Sequence, residues 1–317
     1  MQKDNEIIVS IHCLTYNHAP YIRECLDGFV MQKTNFRYEI VIHDDASTDG
    51  TADIIREYEK KYPDLFNAIY ETENQYSKYN GDFYQIQNIL QKAIKGKYVA
   101  YCEGDDYWID PYKLQKQVDF LENHLDYTMC FHKALVHHET DSSKDYETKV
   151  TTRDYSGQEI LTHIYATTAS VLIRRGIYDT ELYKKVLKER KFFGGDASLF
   201  LTCAHYGKVR GMDECMSVYR RECGGVTGSI DYRKLADEAL AYEETFGIGY
   251  HKESERFFHS GCWYAYIQLK AKGNKKEAET YLHKSFKRSF WGALRPIFKY
   301  YRRAIIRRIK RYTKTNR

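Results

Sequence analysis

The chain has 317 residues, of which 43% are hydrophobic and 29% are charged. These proportions exclude a disordered chain and predict a hydrophobic core of ordinary globular size, organised as one large domain or one and a half. The net charge is +5, but residues 284–317 carry thirteen Lys or Arg and no Asp or Glu, so the rest of the chain is acidic.

The cysteines and the N-terminal residues bear on the cellular compartment. The eight cysteines form no CxxC pair, and most of them lie in apolar runs, which is typical of reduced thiols in a core. The first residues show no basic start followed by a long apolar run, and no window approaches about 18 uninterrupted apolar residues. We therefore expect a cytoplasmic protein.

Apolar runs alternate with amphipathic segments along the N-terminal part of the chain. The pattern predicts strands at 7–14, 39–43, 67–70 and 98–102, and helices at 20–31, 51–62 and 83–94. Such alternation is typical of a mostly parallel sheet with helices on both faces. After residue 126 the pattern is looser, with strands expected at 128–137, 169–174 and 209–219 and a helix at 196–206.

Polar stretches follow three of the predicted strands. They read TYNH at 15–18, HDDAST at 43–48 and EGDD at 103–106. Ligands of open α/β sheets bind outside the carboxyl ends of the strands. We therefore expect these three stretches to line one ligand-binding edge.

The EGDD stretch places Glu103, Asp105 and Asp106 within four residues. Carboxylates this close repel one another, and they are tolerated where solvent, hydrogen-bond donors or a cation offsets their charge. Their oxygens suit Mg²⁺ or Mn²⁺, which complete their coordination with water and substrate phosphates. The alternative is a solvated helix N-terminus, and for Asp110, just before Pro111, we favour that role of helix cap.

Three stretches, in this order and at these separations, carry a family resemblance. TYNHAPYIRECLDGFVMQ, EIVIHDDASTDGT and YCEGDDYWIDPYKLQKQ together resemble the family 2 glycosyltransferases of the GT-A fold, over residues 6–228. The resemblance implies an α/β fold with a GT-A-type, nucleotide-binding, mostly parallel sheet flanked by helices. It implies a domain at 1–231, with a nucleotide-sugar-binding half at 1–126 and an acceptor-binding half at 127–231. The pattern from Tyr232 onward is helical, so we expect a helical C-terminal region at 232–317.

The same resemblance implies an activity. Members transfer a sugar from a nucleotide donor, usually with inversion and with a divalent metal. For this chain it implies a UDP-hexose or UDP-N-acetylhexosamine donor, Mn²⁺ or Mg²⁺, and a glycan or lipid-linked acceptor in cell-surface polysaccharide synthesis. Two other classes stay open: a nucleotidyltransferase, although TYNHAPY lacks a glycine-rich triphosphate loop, and a non-catalytic sugar-binding or scaffold protein.

The resemblance assigns residues to donor binding. Thr15, Tyr16 and Asn17 match the end of the first strand, which borders the nucleoside base. Asp44 and Asp45 match the acidic pair that contacts uracil and ribose, and one of the two is expected to accept a base N–H.

It also assigns residues to the metal and to catalysis. Glu103 and Asp105 occupy the two acidic positions of a DxD motif of the EGDDYW type. We expect Asp105 to be the principal metal ligand, Asp106 to assist it, and Glu103 to lie nearer the ribose. Asp196 matches the catalytic Asp that takes a proton from the acceptor hydroxyl.

Some positions depart from the family pattern or carry no role in it. Glu222 stands where members with the EGDDYW variant commonly have His. Lys78 is the one plausible substitute for an Arg that meets the diphosphate. His137 and His138 lack a convincing spacing for a metal site, and Lys113 is expected to be a solvated charge on a helix.

The C-terminal stretch, residues 286–317, is both basic and periodically apolar. Its apolar residues recur every three or four positions, which predicts a basic amphipathic helix, and Trp291 and Phe298 suit an interface. We expect it to lie on the inner face of the cell membrane, attracted by anionic lipid. The alternatives are a helix packed on the acidic body, or nucleic-acid binding, which we do not expect because no recognisable module accompanies the charge.

Overall fold

The fold is described from a computed structural model in which residues 6–79, 84–162, 166–189, 195–221 and 231–315 are described. These residues fall into two compact units, one ending at residue 221 and one beginning at residue 231. Each unit has its own helices.

The first unit is built on one mixed β-sheet. Within the described residues its strands are β1 (Ile7–Thr15), β2 (Arg37–Asp44), β3 (Phe66–Tyr70), β4 (Tyr98–Tyr101), β5 (Tyr107–Trp108), β6 (Tyr127–His138), β7 (Tyr146–Glu147), β8 (Arg153–Asp154), β9 (Val171–Arg174) and β10 (Lys208–Arg221). The order across the sheet is β3-β2-β1-β4-β9-β6-β10-β5, with β7 paired to β6 and β8 paired to β10.

The strand directions bring several carboxyl ends to one edge. Strands β1 to β4 are parallel to one another. Strand β9 is antiparallel to both β4 and β6, and β10 is parallel to β6, so β6 and β10 point the same way as β4. The carboxyl ends of β1, β2, β4, β6 and β10 therefore lie at the same edge of the sheet.

Helices cover the sheet and connect its strands. The described helices of the first unit are α1 (Ile22–Val30), α2 (Thr51–Lys61), α3 (Gln75–Lys78), α4 (Tyr84–Ala93), α5 (Lys113–Asn123), α6 (Gly157–Thr162), α7 (Glu181–Glu189) and α8 (Gly195–Tyr206). Helix α2 shows why such segments are helical. It begins after Gly50, whose φ of 97° is left-handed, and it has Asp53 in its first turn and lysines in its last turn, which suits the helix dipole.

Both faces of the sheet are buried. Ile40 and Ile42 of β2 pack in a core with Ile22 and Leu26 of α1, whereas Val41, between them in sequence, packs in the core on the opposite face. Because successive side chains of a strand point to opposite faces, a strand buried on both sides reads as a continuous apolar run.

The second unit is helical in its described residues. It contains α9 (Tyr232–Glu238), α10 (Ala241–Phe246), α11 (His251–Ala271), α12 (Lys275–Arg288) and α13 (Phe290–Thr315). Helix α11 packs against α9, α12 and α13. Among the described residues, no helix is both long and apolar enough to cross a membrane.

The predicted fold class, an α/β sheet flanked by helices with a C-terminal helical appendage, is confirmed. The boundaries at 126 and 231, and the assignment of donor and acceptor halves, stay predictions.

Candidate active site

The loops that follow β1 and β2 are joined by hydrogen bonds. Asn17, with a left-handed φ of 54°, donates its backbone N–H to Ser47 Oγ at 2.9 Å, and its Oδ1 accepts from the Thr48 N–H at 2.8 Å. The His18 N–H donates to Thr51 Oγ1 at 2.9 Å. Asn is one of the few residues other than Gly that adopt this conformation readily. The structure therefore shows Asn17 as a link between two loops, and its contact with a nucleoside stays a prediction.

The two acids after β2 differ in their partners. Both Asp45 oxygens accept backbone N–H groups at the start of α3, Oδ1 from Gln75 at 2.6 Å and Oδ2 from Tyr76 at 3.0 Å. Asp44 Oδ2 accepts from the Ser47 N–H at 3.2 Å, whereas its Oδ1 is buried and has no hydrogen-bond partner within the described residues. Both Asp45 oxygens are therefore used to bind the first residues of α3, whereas Asp44 has one oxygen that could accept a hydrogen bond from a ligand.

Residues Glu103–Asp106, the acidic loop, extend directly from β4. The Gly104 N–H donates to the Leu14 carbonyl at 2.8 Å, which continues the β1–β4 pairing into the loop. A Cβ at Gly104 would lie 2.5 Å from Thr15 Oγ1 and 2.9 Å from His18 Nδ1, so only glycine fits without displacing neighbours. Thr15 is buried against this glycine and thus supports the loop.

The acidic loop brings three carboxylates together. One oxygen from each of Glu103, Asp105 and Asp106 lies within 4.8 Å of the other two. Asp106 is only 1% exposed; its Oδ1 accepts the Arg220 N–H at 2.8 Å, and its Oδ2 is buried with no partner in the described residues. Burial, followed by the charges of Asp105 and Glu103, raises the pKa of Asp106 well above its usual range. Burial, followed by Asp105 and Asp196, raises the pKa of Glu103 to about 8.

A divalent cation fits this cluster. Carboxylate oxygens are the ligands that Mg²⁺ and Mn²⁺ prefer. The buried Asp106 Oδ2 has no donor among the described residues, and a cation would satisfy it and offset the mutual repulsion of the acids. Glu103, expected nearer the ribose, contributes an oxygen to the same group.

Asp196 lies in the first turn of α8. Its Oδ1 accepts the Ala197 N–H at 2.8 Å. Its charge contributes to the raised pKa of Glu103, which places the two carboxyl groups within electrostatic reach. Asp196 is exposed to solvent on one side. The protein around it partly removes water from the carboxyl group and so raises its pKa, whereas the hydrogen bond from the Ala197 N–H lowers it. A raised carboxyl pKa favours proton transfer near neutral pH.

Two residues near the end of β10 join the site without having been predicted. Arg220 contacts the acidic loop through its backbone and its side chain. The pKa of the Tyr219 hydroxyl is raised to about 12 by burial and then by the charges of Asp106 and Glu103, so the hydroxyl is within electrostatic reach of these carboxylates. The only sequence signal was the Tyr-Arg pair that precedes Glu222, and Glu222 itself lies outside the described residues.

Two expectations about α5 are wrong. Lys113 is fully buried rather than solvated: its Nζ donates to Gln117 Oε1 at 2.7 Å and lies 4.1 Å from the centroid of the Trp108 ring. Burial lowers the pKa of Lys113 to about 7. Asp110 does not cap α5, because the cap position is occupied by Tyr112. The Asp110 Oδ1 accepts the N–H of Tyr112 at 2.8 Å, in the turn that precedes the helix.

Other residues singled out from the sequence have local partners. Lys78 Nζ pairs with Glu73 Oε2 at 2.7 Å, and His137 Nδ1 lies 2.7 Å from Asp145 Oδ2. Tyr16, just after β1, is 45% exposed, which leaves it accessible to a ligand.

Comparison of the sequence with known proteins gives a family. The profile of the family described as Glycosyl transferase family 2 matches residues 10–182. An uncharacterized protein of Mycobacterium tuberculosis is 40% identical over 231 residues, which cover 72% of this chain and 63% of that protein. The match thus spans less than two thirds of that relative's own length.

Solved structures share the fold. S. aureus TarS 1–349 in complex with UDP-GlcNAc superposes with a TM-score of 0.58 at 18% identity, covering 81% of this chain and 72% of that chain. The mannosyltransferase PcManGT of Pyrobaculum calidifontis, in complex with GDP-Man and Mn²⁺, gives a TM-score of 0.53 at 17% identity, covering 98% and 84%. The first unit therefore has the GT-A fold. The chain belongs to glycosyltransferase family 2.

Proposed function

We propose that the chain transfers a hexose or N-acetylhexosamine from a UDP-linked donor, with inversion and with Mn²⁺ or Mg²⁺. The proposed acceptor is a glycan or lipid-linked glycan of cell-surface polysaccharide synthesis. The observation that carries the proposal is the cluster of Glu103, Asp105 and Asp106 within 4.8 Å at the carboxyl edge of the sheet, with the charge of Asp196 beside it. The UDP-GlcNAc bound to TarS and the Mn²⁺ bound to the mannosyltransferase support the choice of donor and metal.

The donor nucleoside binds at the ends of β1 and β2. Asp44 accepts the base N–H through Oδ1, the oxygen that has no partner within the described residues. The exposed Tyr16 ring provides a flat apolar surface for the base. The loops around the nucleoside are held in place by three neighbouring residues. Thr15 packs against Gly104, Asn17 accepts from the Thr48 N–H, and Asp45 accepts from the Gln75 N–H.

The diphosphate binds at the acidic loop. Asp105 and Asp106 would hold the cation, with Glu103 as a third oxygen donor, and Asp106 would offer Oδ2 because its Oδ1 accepts the Arg220 N–H. When bound, the cation acts as a Lewis acid that stabilises the negative charge of the departing UDP by several kcal/mol.

Asp196 acts as the general base. Its carboxylate accepts the proton of the acceptor hydroxyl as that oxygen attacks the anomeric carbon from the face opposite to UDP. The bond from the anomeric carbon to the phosphate oxygen breaks, its electron pair leaves with UDP, and the configuration inverts.

Substitution of two acids tests this division of roles. We expect Asp105→Ala and Asp196→Ala both to abolish transfer, but only Asp105→Ala to weaken Mn²⁺-dependent UDP binding, measured by calorimetry on the full chain. Asp119→Ala, on the exposed side of α5, is the matched control and should change neither. Equal loss of UDP binding in both active-site variants would refute the assignment.

Helix α13 supports a place at the inner face of the membrane, on the cytoplasmic side. Trp291 is 74% exposed and Phe298 is 67% exposed, and the neighbouring Arg302 and Arg303 are also exposed. Exposed aromatic rings beside basic residues suit a lipid interface, and each basic residue near anionic lipid contributes about 1 kcal/mol.

Vesicle sedimentation tests this placement. We expect the full chain to sediment with phosphatidylglycerol vesicles and not with phosphatidylcholine vesicles, and the double substitution Trp291→Ser, Phe298→Ser to weaken that binding. The control is Leu125→Ser, because Leu125 is 78% exposed in the first unit. Unchanged binding by the double variant would refute the membrane role of α13.

A further inference from the structure

We propose that Arg220 is a positioning residue that fixes the acidic loop in the shape that binds the cation. This inference rests on the proposed function, and it names a support for the metal ligands that lies on a different strand. Arg220 is the second-last residue of β10, the strand that pairs with β6 in parallel. It is 8% exposed.

The backbone of Arg220 orients the buried metal ligand. Its N–H donates to Asp106 Oδ1 at 2.8 Å. Because Arg220 is held in register opposite His137 of β6, this donor has a fixed position. The contact occupies one carboxylate oxygen and leaves Oδ2, which has no partner within the described residues, as the oxygen available to the cation.

The guanidinium of Arg220 holds the rest of the acidic loop. Its Nη1 donates to the Asp105 carbonyl at 3.0 Å. Its Nε lies 2.8 Å from Glu139 Oε1, just after β6, and its Nη2 pairs with Glu24 of α1. One cation therefore connects the loop after β4 to a helix and to the end of another strand.

Two tyrosine rings determine the orientation of this guanidinium. Its central carbon lies 4.6 Å from the centroid of the Tyr107 ring and 5.1 Å from that of the Tyr21 ring. A planar guanidinium can stack on rings while it donates in several directions in its plane, whereas a lysine ammonium cannot reproduce this geometry. Arg220→Lys thus keeps the positive charge but loses the planar group that stacks on the tyrosine rings and donates to several partners.

The test compares Arg220→Lys with Arg210→Lys. Arg210 is near the other end of the same strand and is half-buried. Its Nη2 lies 2.9 Å from the Tyr127 hydroxyl and 3.1 Å from Asp154 Oδ1, and its guanidinium carbon lies 5.3 Å from the Tyr127 ring centroid. The control variant therefore loses the same kinds of contact away from the acidic loop.

Two measurements on the full chain are needed. The first is Mn²⁺ affinity without nucleotide, from the electron paramagnetic resonance signal of free Mn²⁺. The second is amide hydrogen exchange of residues 103–108 in EDTA, which requires no metal. We expect Arg220→Lys to weaken Mn²⁺ binding by about 10- to 100-fold, as is usual for groups that orient metal ligands, and to speed exchange in that segment. Arg210→Lys should change neither by more than about twofold, since it is distant.

A partial variant tests the proposal if Arg220→Lys does not fold. Glu139→Gln removes the charge of one partner of the guanidinium and should weaken Mn²⁺ binding in the same direction by a smaller factor. Unchanged affinity and exchange in the Arg220 variant, or equal losses in the Arg220 and Arg210 variants, would overturn the proposal. If the unmodified protein binds no Mn²⁺, the proposed metal site fails, and exchange at residues 103–108 alone decides the role of Arg220.

Discussion

Replacement of Asp106 by Asn is predicted to stabilise the metal-free protein and to remove its response to metal. Asp106 is 1% exposed, and its Oδ2 has no partner within the described residues. Asn retains an oxygen that can accept the Arg220 N–H, and it replaces the orphaned carboxylate oxygen with a neutral NH₂. The substitution therefore removes a buried charge without removing the contact that holds the side chain.

The direction of the effect follows from the raised pKa of Asp106. A folded pKa above the unfolded value means that the folded state binds the proton more tightly, so stability falls as the pH rises above the unfolded pKa of about 3.9. An uncompensated charge in a protein interior costs several kcal/mol. The unpartnered NH₂ of Asn costs about 1–3 kcal/mol in return. We expect a net gain of about 1–3 kcal/mol for Asp106→Asn in EDTA, or about 2–10 °C in Tm.

Calorimetric melting in EDTA and in Mn²⁺ measures both effects. At a Mn²⁺ concentration 100 times the Kd, the unmodified protein should gain about 2.7 kcal/mol, and Asp106→Asn should gain almost none. Asp119→Asn, on an exposed helix face, is the control and should behave as the unmodified protein. A variant that is less stable in EDTA, or one that keeps the full Mn²⁺ response, would refute the reasoning.

Two further substitutions give independent predictions. The Lys113 pKa of about 7 lies below the ordinary 10.5, so the unfolded state binds more protons between these values. The unmodified protein should gain roughly 1.4 kcal/mol of stability relative to Lys113→Met for each pH unit of increase in that range, measured by urea denaturation, and parallel stability curves would contradict this. Gly104→Ala places a Cβ 2.5 Å from Thr15 Oγ1, and the displaced acidic loop should lower UDP release by about a hundredfold. Gly176→Ala, where a Cβ meets nothing within 4 Å, should retain activity, and equal activity of the two variants would count against the fit at Gly104.

The alternation of strands and helices was predictable because both faces of the sheet are buried. Strands such as β1 and β2 read as unbroken apolar runs, and the amphipathic helix α1 shows its own period. The two-residue strands β5, β7 and β8 were not predictable, because two residues carry no period. The burial of Lys113 was missed for a similar reason: it depends on the Trp108 ring and on Gln117, whose positions the local sequence does not determine.

The candidate site was predictable in composition but not in its internal arrangement. The motif resemblance singled out the acids of the acidic loop and Asp196, and the fold explains how strands far apart in sequence bring such groups to one edge. Asp44 and Asp45 could not be distinguished in the sequence, because the difference lies in the backbone N–H groups of α3, which hold only Asp45. Arg220 was missed because its partners come from three separate segments.

The most direct test of the proposed activity is donor turnover. The full chain is incubated with a panel of UDP-hexoses and UDP-N-acetylhexosamines with Mn²⁺, and the release of UDP is followed. We predict slow UDP release from at least one donor, lost when EDTA replaces Mn²⁺ and lost in Asp196→Ala. Binding of UDP-sugars with no release across the panel would instead indicate a sugar-binding or scaffold protein, and release of diphosphate from a nucleoside triphosphate and a sugar phosphate would indicate a nucleotidyltransferase.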